Sequence, residues 1–346
     1  MSDHITVAVD GMGGDSAPEV VIGGIEATCH ADSKVKFLIF GNKEKIEPLL
    51  SRTHYAQELC ELIHTDEQVT NDDKPTFALR NRTKSSMRLA IDAVKEHKAD
   101  AVISAGNTGA LMAMATIVLK TLPGISRPAI ASSFPTQAGD SVMLDLGANV
   151  ECDSNNLVQF AVMGEVYARN ELGLSQPSVG ILNVGVEGLK GNDSVRDAAA
   201  ILKNSNLPLE FYGFIEGDDI GKGTVDVIVT DGFTGNIALK TAEGTAQMIA
   251  YFLKDALKSS ILSKAGALLA RPAIEKVRSH FDTRRYNGAL LLGLNGICVK
   301  SHGGTDEVGF AHAIQVGANL VRRGLNDLIK EDIASVMIEP SQSIIE

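Results

Sequence analysis

Residues 101–119 read AVISAGNTGALMAMATIVL. The small and β-branched run Ala101 to Ile103 leads into the polar, glycine-bearing stretch Ser104 to Ala110, and the apolar run Leu111 to Leu119 follows. A buried strand turning directly into a helix is written this way, because glycine tolerates the tight turn between them. Ser104 and Thr108 offer hydroxyl donors, Asn107 offers an amide, and Gly106 and Gly109 leave backbone N–H groups uncovered beside a helix N-terminus. Such a loop can cradle a phosphate, or it can be a plain strand-to-helix turn.

The same grammar recurs along the chain. Short branched runs span Ile5 to Asp10, Val35 to Phe40, Ser141 to Leu146, Val179 to Val184, Val225 to Asp231 and Gly296 to Lys300. Several are nearly continuous in apolar residues, which suits a mostly parallel sheet covered on both faces. Helical spacing lies between them. Ser85 to His97 puts Met87, Ile91 and Val94 on one face, and Asn156 to Asn170 puts Leu157, Phe160, Ala161, Gly164 and Tyr167 on another, with Gly173 placed to end that helix. The expected fold class is α/β, a single unit over residues 1–340 or two lobes around a cleft, with a tail at 341–346.

The longest helical signal starts near Asn236, where Ala238, Ala242, Ala246, Ile249, Leu253 and Leu257 recur at three- and four-residue spacing. Close packing of this small-residue face against another helix is the expected use, with a dimer contact as an extension. Pro272 stops or kinks the helix that follows. Ile261, Leu262, Leu268 and Leu269 are read as core, as dimer surface or as an edge touching a membrane beside Lys258, Lys264 and Arg271.

Composition narrows the function. A net charge of −11 disfavours a broad nucleic-acid surface, and the absence of Trp argues against a base-stacking platform. A local anion site remains compatible with a negative total. Cys29, Cys60, Cys152 and Cys298 are scattered, as expected of structural thiols in a reducing compartment, and the N-terminus shows no signal segment. The chain is therefore expected in the cytoplasm. No compact metal-ligand spacing, dinucleotide fingerprint, Walker loop or nucleophile elbow is present, so no cofactor and no metal site of compact spacing is expected, and only dispersed acids gathered by the fold could hold magnesium.

Further loops follow the other strands. Asp10 to Pro18, DGMGGDSAP, supplies Gly13 and Gly14 for an unusual turn and makes an anion site or active-site floor, or a structural turn. Asp145 in LDLGAN orients a donor or caps its own backbone. Lys190 in NVGVEGLKG holds a phosphate, stabilises an oxyanion or is a solvated lysine. Asp231 and Asn236 in TDGFTGN orient a ligand or cap the long helix. His302, before Gly303 and Gly304, exchanges a proton, binds phosphate or makes one hydrogen bond at a strand edge, with Lys300 the nearest cation.

Taken in order, VDGMGGDSAP at 9–18, KSSMRLA at 84–90, SAGNTGALMA at 104–113, LDLGANVEC at 144–152, ILNVGVEGLKG at 181–191, EGDDI at 216–220, DGFTGNIALK at 231–240 and YNGALLLGLNGICVKSHG at 286–303 resemble the bacterial phosphate acyltransferases of phospholipid synthesis, the PlsX family. One departure is Gly11, where the family more often carries alanine or another small residue. The resemblance implies a three-layer α/β/α fold of the isocitrate and isopropylmalate dehydrogenase type. It also implies reversible transfer of a long-chain acyl group from acyl carrier protein to inorganic phosphate by a homodimer. Such enzymes visit the inner membrane surface, where a downstream acyltransferase takes the acyl phosphate. The site residues it implies are Asp10, Gly13, Gly14, Asn107, Lys190, Asp231, Asn236 and His302. A local patch of Arg271, Lys276, Arg278, Arg284 and Arg285 is expected to steer the acidic carrier.

Overall fold

In a computed structural model, residues 4–337 are described except 206, 208 and 281. The tail expected at 341–346 lies outside the described residues. Among the described residues eleven strands form one sheet: β1 (Ile5–Asp10), β2 (Val35–Gly41), β3 (Cys60–His64), β4 (Ala101–Ser104), β5 (Ala129–Pro135), β6 (Asp140–Leu144), β7 (Ser178–Leu182), β8 (Glu210–Ile215), β9 (Val227–Val229), β10 (Ala289–Leu292) and β11 (Ile297–Lys300). Their order across the sheet is β3-β2-β1-β4-β11-β10-β5-β6-β9-β7-β8.

Strands β3, β2, β1, β4 and β11 form one parallel block, and β6, β9, β7 and β8 form another. Between them the pairings β11–β10, β10–β5 and β5–β6 are antiparallel. Three reversals leave the two parallel blocks running in opposite directions. Loops that follow β1, β4 and β11 therefore leave one edge of the sheet, and those that follow β6, β7 and β9 leave the other.

Both faces are covered, and the period-two alternation of side chains decides which residue joins which core. Val7, Val9, Ala101, Ile103, Val227 and Val229 point into one apolar core with the Glu19–Ala31, Ser154–Leu172 and Glu307–Arg322 helices. Ala8, Val102 and Ile228 point into the other, with Ser86–Lys95 and Thr108–Leu119. This is the three-layer arrangement expected of strands apolar on both sides. The Ser154–Leu172 helix buries its whole expected stripe and ends at Gly173 with φ 70°, a left-handed position that glycine adopts without strain.

The long helix departs from expectation. Gly232–Lys258 is anchored at its start, where Gly232 and Gly235 are buried and Ala238 and Leu239 pack on the core. Further along, Ile249 is 60% exposed and Leu253 47%. Of the stripe expected to pack against another helix, Ala238 is covered, and Ala246, Ile249 and Leu253 are exposed within one chain. Ile261–Leu269 follows it with no buried residue, so the core reading of Ile261, Leu262, Leu268 and Leu269 is overturned. Pro272 acts as expected, sitting in the first turn of a new helix, Arg271–His280, where its missing N–H costs nothing.

All four cysteines are free thiols, but they are not all scattered in space. The Cys60 thiol meets that of Cys29, and this contact together with burial pushes Cys60 well above the usual thiol range.

Candidate active site

The C-terminal ends of β1, β4 and β11, three adjacent parallel strands, deliver Asp10, Ser104 and Lys300 to one place. Ser104 and Lys300 are direct register partners. The Asp10 carboxylate is buried and accepts hydrogen bonds from Ser86 Oγ at 2.6 Å, Ser104 Oγ at 2.7 Å and Met12 N at 3.3 Å. Burial raises it above the ordinary carboxylate range, against the two serine hydroxyls and the Lys300 charge, which lower it. The same burial pulls the Lys300 amine down from the usual 10.5 to about 8, against the attraction of Asp10 and Asp15. For both groups desolvation outweighs the mutual attraction.

Three loops close on this floor. Gly106 N donates to Ser104 Oγ at 3.1 Å, Ser301 N to Ser104 O at 2.9 Å and Asp15 N to Gly303 O at 2.9 Å. Glycine is required where they touch. A Cβ on Gly13 would stand 2.4 Å from Asp10 Oδ2 and 2.8 Å from Gly106 N, and Gly14 has φ 112°.

Asn107 proves to be a structural keystone. Its Oδ1 caps the Thr108–Leu119 helix by accepting from Ala110 N, and its Nδ2 donates to the carbonyls of Thr70, Asn71 and Asp73. It thereby fastens the 70–73 loop over the strand ends, and little of its amide is left for a ligand. Thr108 and Gly109 sit at the surface beside it. His302 is exposed, its N–H donates to Asn287 Oδ1, and its Nδ1 accepts from Gly304 N at 3.1 Å. That bond puts the ring proton of a neutral imidazole on Nε2.

From Thr108 and Gly109 an open groove of about 600 Å³ runs along the helix, lined by Leu79, Met112, Ala113, Thr116, Ile117, Ile130, Gly147 and Ala148. A helix of 12 residues is about 18 Å long, so the groove joins the first loop cluster to a second.

The second cluster belongs to the other block. Asp145, fully buried, accepts from the N–H groups of Ile130, Gly147, Ala148 and Asn149 and from Asn149 Nδ2. Of the two expected uses, the carboxylate takes the local one and builds its own loop. Asp231 caps the long helix, with Oδ1 accepting from Thr234 N and Oδ2 from Thr234 Oγ1, both at 2.8 Å. Asn236 Nδ2 donates to Leu146 O at 3.1 Å, beside Gly147 at the end of the groove. Lys190 is exposed in the loop after β7, next to β9.

Asp10, Gly13, Gly14, Ser104, Gly106, Asn107, Thr108, Gly109 and His302 are thus gathered at one sheet edge. Lys190, Asp231 and Asn236 belong to the opposite one. Sequence reading underrated Ser86 and Lys300. Ser86 opens a helix far from Asp10 in sequence, and only the register of β4 with β11 puts Lys300 beside Ser104.

The fold is shared with solved phosphotransacetylases. A phosphotransacetylase from Streptococcus pyogenes superposes with a TM-score of 0.64 over 93% of this chain and 95% of its own, at 17% identity. The EutD phosphotransacetylase from Staphylococcus aureus gives 0.59 with the same coverage and identity. These likenesses establish the fold. Kinship in sequence is closer: residues 5–328 match the fatty acid synthesis protein family. The phosphate acyltransferase of Paramagnetospirillum magneticum is 56% identical over 99% of this chain and 98% of its own length. That of Rhodospirillum centenum is 58% identical over 96% and 94%. The chain belongs to this family of phosphate acyltransferase enzymes.

Proposed function

We propose that the protein moves a long-chain acyl group from acyl carrier protein to inorganic phosphate, giving acyl phosphate, in a reversible reaction. The observation that carries this reading is the groove: amide-rich loops at one end, suited to an anion, open directly into an apolar trough along Thr108–Leu119. A phosphate oxygen attacks the thioester carbonyl carbon, a tetrahedral oxyanion forms, and the C–S bond breaks. The thiolate leaves and takes up a proton. Phosphate has its second pKa at about 6 to 7, so a large share of it is already dianionic at neutral pH and no strong base is required. Holding the two reactants about 3 to 3.5 Å apart supplies much of the acceleration. The amides of Asn107 to Gly109 hold the phosphate, while Asn236 stands at the far end of the groove.

A short acyl group on coenzyme A is the nearest competing substrate, and the length of the apolar trough favours the long chain. Incubating long-chain acyl carrier protein with and without phosphate and detecting acyl phosphate directly decides between them. Lack of phosphate-dependent product across several chain lengths would end this reading. Ala113 is half-buried in the groove wall, so Ala113→Phe is expected to lower kcat/KM for long-chain donors about tenfold or more while sparing short ones. An equal loss for all lengths would place the acyl chain elsewhere.

The unpartnered helices between 232 and 280 fit a second copy of the chain and a transient membrane-surface contact near the downstream acyltransferase. Among the described residues no helix is long and apolar enough to cross a membrane. The carrier is steered by Arg271, Lys276, Arg278 and Arg285 on the last of these helices and the turn after it. Arg284 is already held by Asp282 and Asp306 and contributes less.

A further inference from the structure

Lys300 is the cation among the three loops of the first cluster, and its donors can be counted. An ammonium has three N–H groups. Ala105 O, at 3.3 Å, and Ser301 O take two of them. The third is left for the space where the loops meet. Asp15 lies close enough for its charge to act on the Lys300 ammonium: its backbone is tied to Gly303 O, and its carboxylate takes a single hydrogen bond, from Asn71 Nδ2 at 3.3 Å. Positions on Gly303 and Gly304 where a Cβ would stand lie 3.4 to 3.6 Å from the Asp15 oxygens, so glycine keeps that approach open. Asp10, the other carboxylate nearby, is already occupied by two serine hydroxyls and an amide.

A carboxylate in an anion site discriminates by the protonation of the anion. Phosphate at neutral pH carries at least one P–OH group, and sulfate carries none. A carboxylate accepts a hydrogen bond from the first and repels the second. We propose that Lys300 and Asp15 together select phosphate, Lys300 donating to an anionic oxygen and Asp15 accepting from the protonated one. This rests on phosphate being the acceptor substrate, and it assigns to these two residues the discrimination against anions of similar size and shape.

The test is binding of radiolabelled phosphate to the intact protein by equilibrium dialysis, with sulfate as competitor, for wild type, Asp15→Asn and Lys300→Met. Wild type is expected to prefer phosphate about tenfold or more, the size of one charge-assisted hydrogen bond. Asp15→Asn brings the ratio close to one, chiefly because sulfate binds better, and Lys300→Met weakens both anions. A purely structural role for Asp15 would leave the ratio unmoved. An unchanged ratio in Asp15→Asn, unchanged phosphate affinity in Lys300→Met, or equal binding of the two anions by wild type overturns the proposal. If either variant misfolds, wild-type crystals grown with arsenate decide: the anion bridging Lys300 Nζ and Asp15 supports the proposal, and any other position, or no bound anion, refutes it. Selective phosphate binding without acyl phosphate formation would remove the acyl-transfer reading and leave this one standing. Turnover with wild-type phosphate KM in both variants would do the reverse.

Discussion

Gly13→Ala is expected to lower turnover by about 10²-fold, the effect of displacing one preorganised donor from a reacting centre. The new Cβ would meet Asp10 Oδ2 at 2.4 Å and Gly106 N at 2.8 Å. Neither neighbour can yield cheaply. Asp10 is buried and fixed by Ser86 and Ser104, and Gly106 N is backbone tied to the Ser104 hydroxyl. The strain is therefore passed to the 104–109 loop, whose amides are the proposed phosphate cradle. Steady-state kinetics alongside circular dichroism checks this. A folded Gly13→Ala enzyme with wild-type kcat/KM would take the loop out of the site.

Asp145→Ala is expected to cost about 3 kcal/mol or more of folding stability, read from the urea midpoint. Its carboxylate satisfies four backbone N–H groups and one side-chain amide in a place that water does not reach. Burial also pushes its pKa upward, against the bonds from Ala148, Ile130 and Asn149 that favour the charged form. Removing it strands those donors together. The damage spreads to the long helix, because Gly232 N donates to Asn149 O at 2.7 Å and Gly235 packs directly on the Asp145 carbonyl. Asp145→Asn keeps the volume but turns one acceptor into a donor among donors, so its loss should fall between wild type and Asp145→Ala. A wild-type midpoint for Asp145→Ala would show that the loop holds without its carboxylate.

Much of this was legible in the sequence, and the exceptions share a physical cause. Strands buried on both sides, such as Ile5–Asp10 and Ala101–Ser104, announce themselves by continuous apolar runs. β3 and β8 lie at the two sheet edges with part-exposed residues: β3 carries no such run, and the run of β8, Phe211 to Ile215, is aromatic and broken by a glycine rather than β-branched. β5 fades into Ser132, Ser133 and Pro135 and is equally hard to see. The long helix was visible, but periodicity gives a face and not the presence of something to cover it. At the site, glycine-bearing loops after strands were readable one at a time. Their sorting into two clusters was not, since it depends on the direction of each strand. For Asn107 and Asp231 the residue types suited ligand binding and capping equally, and only hydrogen-bond partners reveal that both cap helices.

The reversal of strand direction also fixes the mechanics of the molecule. Its two parallel blocks are joined through β10 and β5, and the β10–β11 seam is registered through only Ala289 with Lys300 and Leu290 with Val299, whereas β5 and β6 share five such pairs. A plank bends where its grain is thinnest. Flexing of one half against the other is taken up with least loss of pairing at that seam, which ends at Lys300. The cation proposed to grip phosphate thus stands at the end of the strand pairing with the fewest registered partners between the two blocks.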